Sequence, residues 1–151
     1  MSISEGTSIG TGSSLIRYGW AHERASDSLS GMNAPSVLPS YRDVLAAAAR
    51  IAPLAHATPV LRSRSLDADT GCRLFFKAEH LQRGGAFKFR GACNAVSSLD
   101  DADASCGVVT HSSGNHGGAL SLAARLRGIP CHVVVPEGAV RSKLSAIEAY
   151  G

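Results

Sequence analysis

Apolar and polar residues form blocks along the chain that predict helices and strands in turn. Ser40 and Asp43 have the spacing of a capping box, and the Ala- and Leu-rich stretch from Tyr41 to Ile51 predicts the first helix. Short apolar runs predict strands, and longer periodic segments predict helices. The predicted strands cover 74–78, 107–110 and 132–135, after an extended segment at 58–61, and the predicted helices cover 87–98, 115–127 and 141–150.

The alternation of strands and helices is typical of an α/β fold with a parallel sheet. The apolar run 132–135 lies between Pro130 and Pro136, which predicts a buried parallel strand. No strand follows the last predicted helix, although a buried parallel strand needs a neighbour on each side. We therefore expect an incomplete α/β fold.

The beginning of the chain has a different composition. The first 40 residues contain ten Ser and five Gly with little hydrophobic periodicity, which predicts a flexible extension over residues 1–39. Glu5, Glu23 and Asp27 are unusual in a transit peptide, which is normally poor in acidic residues. A cytoplasmic protein is therefore the expectation, with a plastid protein as the alternative.

Composition and charge narrow the class of protein. The 151 residues are 44% hydrophobic and 18% charged with a net charge of +3, as in an ordinary globular domain. The basic residues are scattered and no apolar stretch is long enough for a membrane helix, so neither nucleic acid nor membrane is an expected partner. The four cysteines lack zinc or disulfide spacing, and Cys93 and Cys131 are expected to be buried and inert.

The segment 84–91, with sequence GGAFKFRG, places Lys88 beside two glycines at a predicted helix start. Gly84 and Gly85 allow the backbone to approach a flat ligand closely. A lysine amine in such a place can form a Schiff base. The alternative is a surface lysine that opens a helix.

The segment 112–117, with sequence SSGNHG, lies between a predicted strand and a predicted helix. Unpaired N–H groups at a helix start bind a carboxylate or phosphate, and the hydroxyls of Ser112 and Ser113 add donors. The alternative is a serine cap on an ordinary turn. A zinc site at His111 and His116 is not expected, because the two do not share a helical face and no third ligand is evident.

Together, segments 74–79, 87–92 and 110–117, with residues 58–61 upstream, resemble the serine racemase and serine/threonine dehydratase family. These enzymes use pyridoxal phosphate and have the tryptophan synthase β-like fold. The resemblance covers about residues 40–151. It implies the N-terminal half of a three-layer α/β parallel-sheet fold, with part of the large cofactor-binding domain at 40–106 and the start of the small domain at 107–151.

The resemblance also implies a role for each motif. Lys88 carries the cofactor as a Schiff base and later removes the α-proton of the substrate, while Phe87 packs near the cofactor and Asn115 bonds its ring hydroxyl. The substrate carboxylate is held by the loop of Ser112, Ser113, Gly114, Asn115 and His116.

Ser113 separates two outcomes within the family. Serine racemases have a serine at this position, which acts as the acid on the opposite face, whereas many threonine dehydratases have alanine. The resemblance thus implies a serine racemase with serine and threonine dehydratase activity, a homodimer when complete. A threonine ammonia-lyase, or an inactive fragment that associates with a full-length partner, remains open. A nucleotide-binding module is disfavoured because no Gly-x-Gly-x-x-Gly motif follows a strand.

The chain departs from the family in three respects. Residues 83–86 read RGGA, a form that resembles plant or algal racemases, whereas animal racemases have KTGS here. This difference leaves ATP activation doubtful. The family's glycine-rich phosphate loop has no match in the sequence. Its acidic ligands for a divalent ion have none either, so Mg²⁺ would depend on residues absent from this chain.

Overall fold

The computed structural model describes residues 38–150 and the backbone of two short segments, 3–5 and 14–18. Within these residues there are six α-helices, two short 3-10 helices (Glu79–Leu81 and Arg83–Gly85) and six strands. The helices are α1 (Tyr41–Ile51), α2 (Arg64–Thr70), α3 (Lys88–Ser98), α4 (Asp101–Ser105), α5 (Asn115–Arg127) and α6 (Arg141–Tyr150). The strands are β1 (Ile3–Glu5), β2 (Ser14–Tyr18), β3 (Val60–Leu61), β4 (Phe76–Lys77), β5 (Val108–His111) and β6 (Cys131–Pro136).

The larger sheet has the strand order β1-β2-β6-β5. β6 pairs in parallel with β5 on one side and with β2 on the other, and β1 is antiparallel to β2. Helix α5 connects β5 to β6, as expected for a βαβ unit. The predicted α/β fold with a parallel sheet is thus confirmed.

Two segments of the predicted flexible extension are strands. Residues 3–5 and 14–18 form β1 and β2, and β2 takes the edge of β6 that β5 leaves open. A parallel strand such as β6 needs hydrogen-bonding partners on both edges, which is the physical reason for this pairing. The rest of the predicted extension up to residue 37 lies outside the described residues. The boundaries at 39/40 and 106/107 stay predictions.

A small two-stranded sheet replaces the predicted strand at 74–78, and helix α2 lies between its two strands in the sequence. Only Phe76 and Lys77 pair, with Leu61 and Val60, and the pairing is antiparallel in a sheet of its own. Helices α2 and α4 were not predicted, because both are short and polar and have no buried apolar stripe. Local signals nevertheless mark them: Ser63 and Asp100 accept a hydrogen bond from the helix start, and Gly71 ends α2 with φ of 66°.

The core lies between helix α5 and its neighbours. Helix α5 packs against α3, α6, β5 and β6, and its buried positions are mostly small residues, which allow close approach on several sides. Phe89, Val96, Val133 and Val135 are at most 2% exposed. One hydrophobic cluster therefore joins the segments before and after residue 106 and fixes the start of α3 relative to the start of α5. None of the described helices is long and apolar enough to cross a membrane.

Candidate active site

Lys88 is the first residue of α3, as the sequence predicts. The turn before it contains Gly84 and Gly85, both with φ of 68°, a conformation that favours glycine. The Lys88 side chain is exposed, and its Nζ lies 5.0 Å from the centre of the Phe87 ring. This arrangement places a primary amine next to an aromatic face at a helix start.

Phe87 is 59% exposed, so it is not a core residue. The apolar packing of α3 comes instead from Phe89, Ala92, Cys93 and Val96. An exposed aromatic ring beside an amine offers a surface on which a flat ligand can stack.

The carboxylate loop follows β5 and leads into α5. The N–H of Gly114 donates a hydrogen bond to Ser112 Oγ at 3.3 Å, and Gly114 precedes the first helical residue, Asn115. No side chain caps this helix start, so its first N–H groups are left to donate hydrogen bonds to another partner. Ser112 and Ser113 are half-buried, whereas Asn115 and His116 are exposed. The arrangement is that of an anion-binding helix start.

The structure brings parts of both motifs to one cavity of about 80 Å³. Gly84 from the lysine segment and Gly114 and Asn115 from the carboxylate loop line it, together with residues of α5 and α6. The remaining lining residues are Gly118, Ala119, Lys143, Ala146, Ile147 and Tyr150. Of the predicted site residues, Phe87, Lys88, Ser112, Ser113 and His116 are not in the wall of this cavity.

Pyridoxal phosphate fits the chemistry of these groups in part. A Cβ on Gly84 or on Gly114 would meet no atom within 4 Å, so both residues leave open space at the cavity. An amine, an exposed ring face, an amide and an uncapped helix start are the groups that an aldehyde, a pyridine ring and a carboxylate would need. The residues present therefore suit the ring and the substrate.

Two polar residues near Lys88 were missed by the sequence reasoning. Glu79 accepts hydrogen bonds from Arg90 and Thr58, and these bonds, in that order of importance, hold its pKa at about 2. Gln82 is only 3% exposed. The sequence offered only one signal for these two residues, which is their position between an apolar run and the two glycines. Loop residues at such a position are normally exposed, so burial is not expected there. Arg90 forms an ion pair with Glu79.

The other titratable residues that the structure describes do not form a metal site. Among the described residues, no three His, Cys, Asp or Glu side chains are grouped so that they could hold a metal ion. Cys93 and Cys131 are buried as predicted, and burial raises the pKa of both thiols.

Comparison with known proteins points to one family. The profile of the family "Pyridoxal-phosphate dependent enzyme" matches residues 51–151. Serine racemase of Arabidopsis thaliana is 62% identical over 102 residues, which are 68% of this chain and 31% of that protein. The beta-hydroxyaspartate dehydratase of Paracoccus denitrificans is 54% identical over 114 residues, 76% of this chain and 36% of that protein.

A solved structure agrees with this result. Maize serine racemase superposes with a TM-score of 0.70 at 56% identity, covering 72% of this chain and 33% of that one. The chain thus spans about a third of the length of the relatives that it matches. The predicted family and its fold are confirmed: the chain belongs to the pyridoxal-phosphate-dependent enzymes.

Proposed function

We propose that this chain contributes the lysine and the substrate-carboxylate loop of a pyridoxal-phosphate-dependent serine racemase with serine and threonine ammonia-lyase activity. The observation that carries the proposal is the cavity at which Gly84, from the lysine segment, meets Gly114 and Asn115, from the carboxylate loop. Residues from two motifs that are 26 residues apart along the chain, counted from Lys88 to Gly114, therefore line one cavity.

Each group has a defined task in the proposal. Pyridoxal phosphate, when bound, supplies an electron sink that makes the α-proton of an amino acid acidic. Lys88 Nζ would hold the cofactor through its aldehyde, and once the amino group of the substrate had displaced it, the freed amine would remove the α-proton. Phe87 would pack near the ring, and the Asn115 amide would hydrogen-bond the ring hydroxyl. The N–H groups at the start of α5, with the hydroxyls of Ser112 and Ser113, bind the substrate carboxylate.

The fate of the substrate then depends on a second proton carrier. A proton delivered by Ser113 Oγ to the face opposite Lys88 would give the other enantiomer, whereas loss of the β-hydroxyl would lead to a keto acid and ammonia. A purely eliminating enzyme is the second candidate, because one relative at 54% identity is a beta-hydroxyaspartate dehydratase. If this chain belongs to a purely eliminating enzyme, Ser113 would bind the substrate carboxylate without carrying a proton.

The proposal includes an assembly. Large apolar side chains are exposed on α1 and on or next to the β3–β4 strand pair, including Leu45, Val60, Phe75 and Phe76. Exposed apolar area of this kind is normally covered by another part of the protein or by a partner. We therefore propose that the other two thirds of the family fold cover this surface. They would belong to a full-length form that is a homodimer, or to a full-length partner.

The test is a visible spectrum of the purified chain mixed with pyridoxal phosphate. Lys88→Arg removes the reactive amine and keeps the charge, and Lys77→Arg is the matched control at another of the three lysines. We expect an absorption band that Lys88→Arg abolishes and Lys77→Arg keeps. A spectrum that is the same for all three proteins would show that Lys88 does not hold the cofactor, and the proposal would fail.

A further inference from the structure

The turn that bears Lys88 is attached at both ends to one short loop, residues 54–58. On the N-terminal side, Gln82 is almost fully buried, and its side chain bonds both backbone groups of His56. The N–H of His56 donates to Gln82 Oε1 at 2.9 Å, and Gln82 Nε2 donates to the carbonyl of His56 at 2.9 Å. Arg83 adds a hydrogen bond from Nε to the carbonyl of Leu54 at 2.6 Å.

On the C-terminal side, Arg90 reaches the same loop. Its Nη2 donates to the carbonyl of His56 at 3.1 Å and to Thr58 Oγ1 at 3.2 Å. The same guanidinium forms a two-point pair with Glu79, from Nε to Oε2 and from Nη2 to Oε1, both at 2.8 Å. The carbonyl oxygen of His56 thus accepts hydrogen bonds from Gln82, before the turn, and from Arg90, after it.

Local capping does little to hold the start of α3. Phe87, the capping residue, provides no side-chain hydrogen bond to the helix, and Gly84 and Gly85 give the preceding backbone the greatest conformational freedom. A bidentate guanidinium–carboxylate pair fixes direction as well as distance. The position of the Lys88 amine therefore depends on side chains that do not touch it.

We propose that Gln82 and Arg90, with Glu79, are positioning residues that hold the Lys88 turn against the 54–58 loop, so that the amine faces the cofactor. The inference rests on the proposed function for the identity of that cofactor. Disrupting these contacts is expected to have a large effect, because the reaction rate falls steeply when a reacting group is misplaced.

Arg127 provides a matched control at the other end of the same helix. It lies on α5 and donates to the carbonyls of Val96 and Leu99, the latter at 2.8 Å, and so anchors the end of α3 far from Lys88. Arg127→Lys should loosen the C-terminal end of α3 without disturbing the turn. The contacts of Gln82, Arg90 and Glu79 with the 54–58 loop are called the clamp below, and Glu79→Gln is a second, isosteric disruption of it.

The first readout is capture of pyridoxal phosphate on the whole chain by borohydride, with the fraction bound at Lys88, Lys77 and Lys143 measured by mass spectrometry. We expect Arg90→Lys and Glu79→Gln to lower the Lys88 fraction roughly tenfold or more, and Arg127→Lys to change it less than about twofold. The second readout needs no cofactor: amide hydrogen exchange of residues 83–91 should accelerate in the first two variants only.

Each outcome decides the matter. Unchanged exchange in residues 83–91 for Arg90→Lys and Glu79→Gln overturns the inference, and so does faster exchange with undiminished capture at Lys88. An equal loss of capture in Arg127→Lys also overturns it, since the effect would then be general loosening. If Lys88 of the unaltered chain is captured no more than Lys77, the proposed function fails, and the clamp is decided by hydrogen exchange alone.

Discussion

A Cβ atom placed on Gly117 would lie 2.7 Å from the carbonyl oxygen of Ser112. It would also lie 3.1 Å from Ile147 Cδ1 and 3.2 Å from Val133 Cγ1. Gly117 is in the first turn of α5 and is buried. The missing side chain therefore lets the helix start lie directly against the loop that carries Ser112 and Ser113.

Gly117→Ala is accordingly expected to destabilise the fold and to displace the carboxylate loop. The nearest atom is a backbone oxygen, which cannot turn away as a flexible side chain would. Overpacking of this kind costs about 1–3 kcal/mol. The free energy of unfolding, measured with urea, should fall by that amount.

Gly91→Ala is the matched control for this substitution. Gly91 is exposed in α3, and a Cβ there would meet no atom within 4 Å. Because alanine is the better helix former, we expect a gain of about 0.5–1 kcal/mol. Equal losses for the two variants would contradict the close contact between Gly117 and Ser112.

The four thiols should react in two classes. Cys72 and Cys106 are exposed, whereas Cys93 and Cys131 are 1% exposed, and burial raises their thiol pKa. Since the thiolate is the reactive form, a disulfide reagent should modify Cys72 and Cys106 quickly and the other two only after unfolding. Four equally fast thiols would mean that the core of α3, α5 and β6 is not packed as described.

The sequence predicts the elements that depend on local signals. Helix α1 begins at the Ser40–Asp43 capping box, and α5 ends at Gly128, whose φ is 75°. Both helices have the predicted bounds, because caps and glycine stops act within one turn. Lys88 and Asn115 also lie at helix starts as predicted, although no side chain caps either helix.

The features that the sequence does not predict depend on contacts between segments that are distant along the chain. The clamp joins His56 to Gln82 and Arg90, which are 26 and 34 positions away along the chain. No periodicity or motif encodes such a pairing. The predicted strand at 74–78 shortened for a similar reason: its partner, Val60–Leu61, offers only two residues for pairing. Tertiary contacts decided both outcomes.

The Glu79 carboxylate should contribute to stability in a defined pH window. Its pKa is about 2 in the folded protein against an ordinary 4.5, because the charged form accepts hydrogen bonds from Arg90 and Thr58. A lowered folded-state pKa means that this stabilisation is complete above pH 4.5 and is lost as the pH falls towards 2. We expect the free energy of unfolding to decline through that window.

Glu79→Gln isolates this effect from the other acids. Ser40 lowers the pKa of Asp43, and the N–H of Leu74 lowers that of Asp67, so both residues also contribute to acid sensitivity. Their contributions cancel in the difference between the two proteins. That difference should be constant near neutral pH and should shrink below pH 4.5; a difference independent of pH would remove Glu79 as its source.

Ser113→Ala should separate racemisation from elimination in a complete enzyme that contains this segment. If Ser113 Oγ delivers the proton on the face opposite Lys88, racemisation of serine loses a general acid, an effect of about 10²–10⁴-fold on kcat. Elimination needs no proton on that face and should change only a few-fold, through weaker binding of the carboxylate. Both rates come from one reaction mixture by chiral chromatography and keto-acid assay.

Ser112→Ala is the control, because Ser112 is the neighbouring hydroxyl of the same loop. Its Oγ accepts the hydrogen bond from the N–H of Gly114, so its loss should loosen the carboxylate site. Both reactions bind the substrate carboxylate there, and both should therefore weaken together, mainly in KM. A Ser113→Ala enzyme that resembled Ser112→Ala would show that Ser113 binds the substrate and carries no proton, which would favour the purely eliminating enzyme.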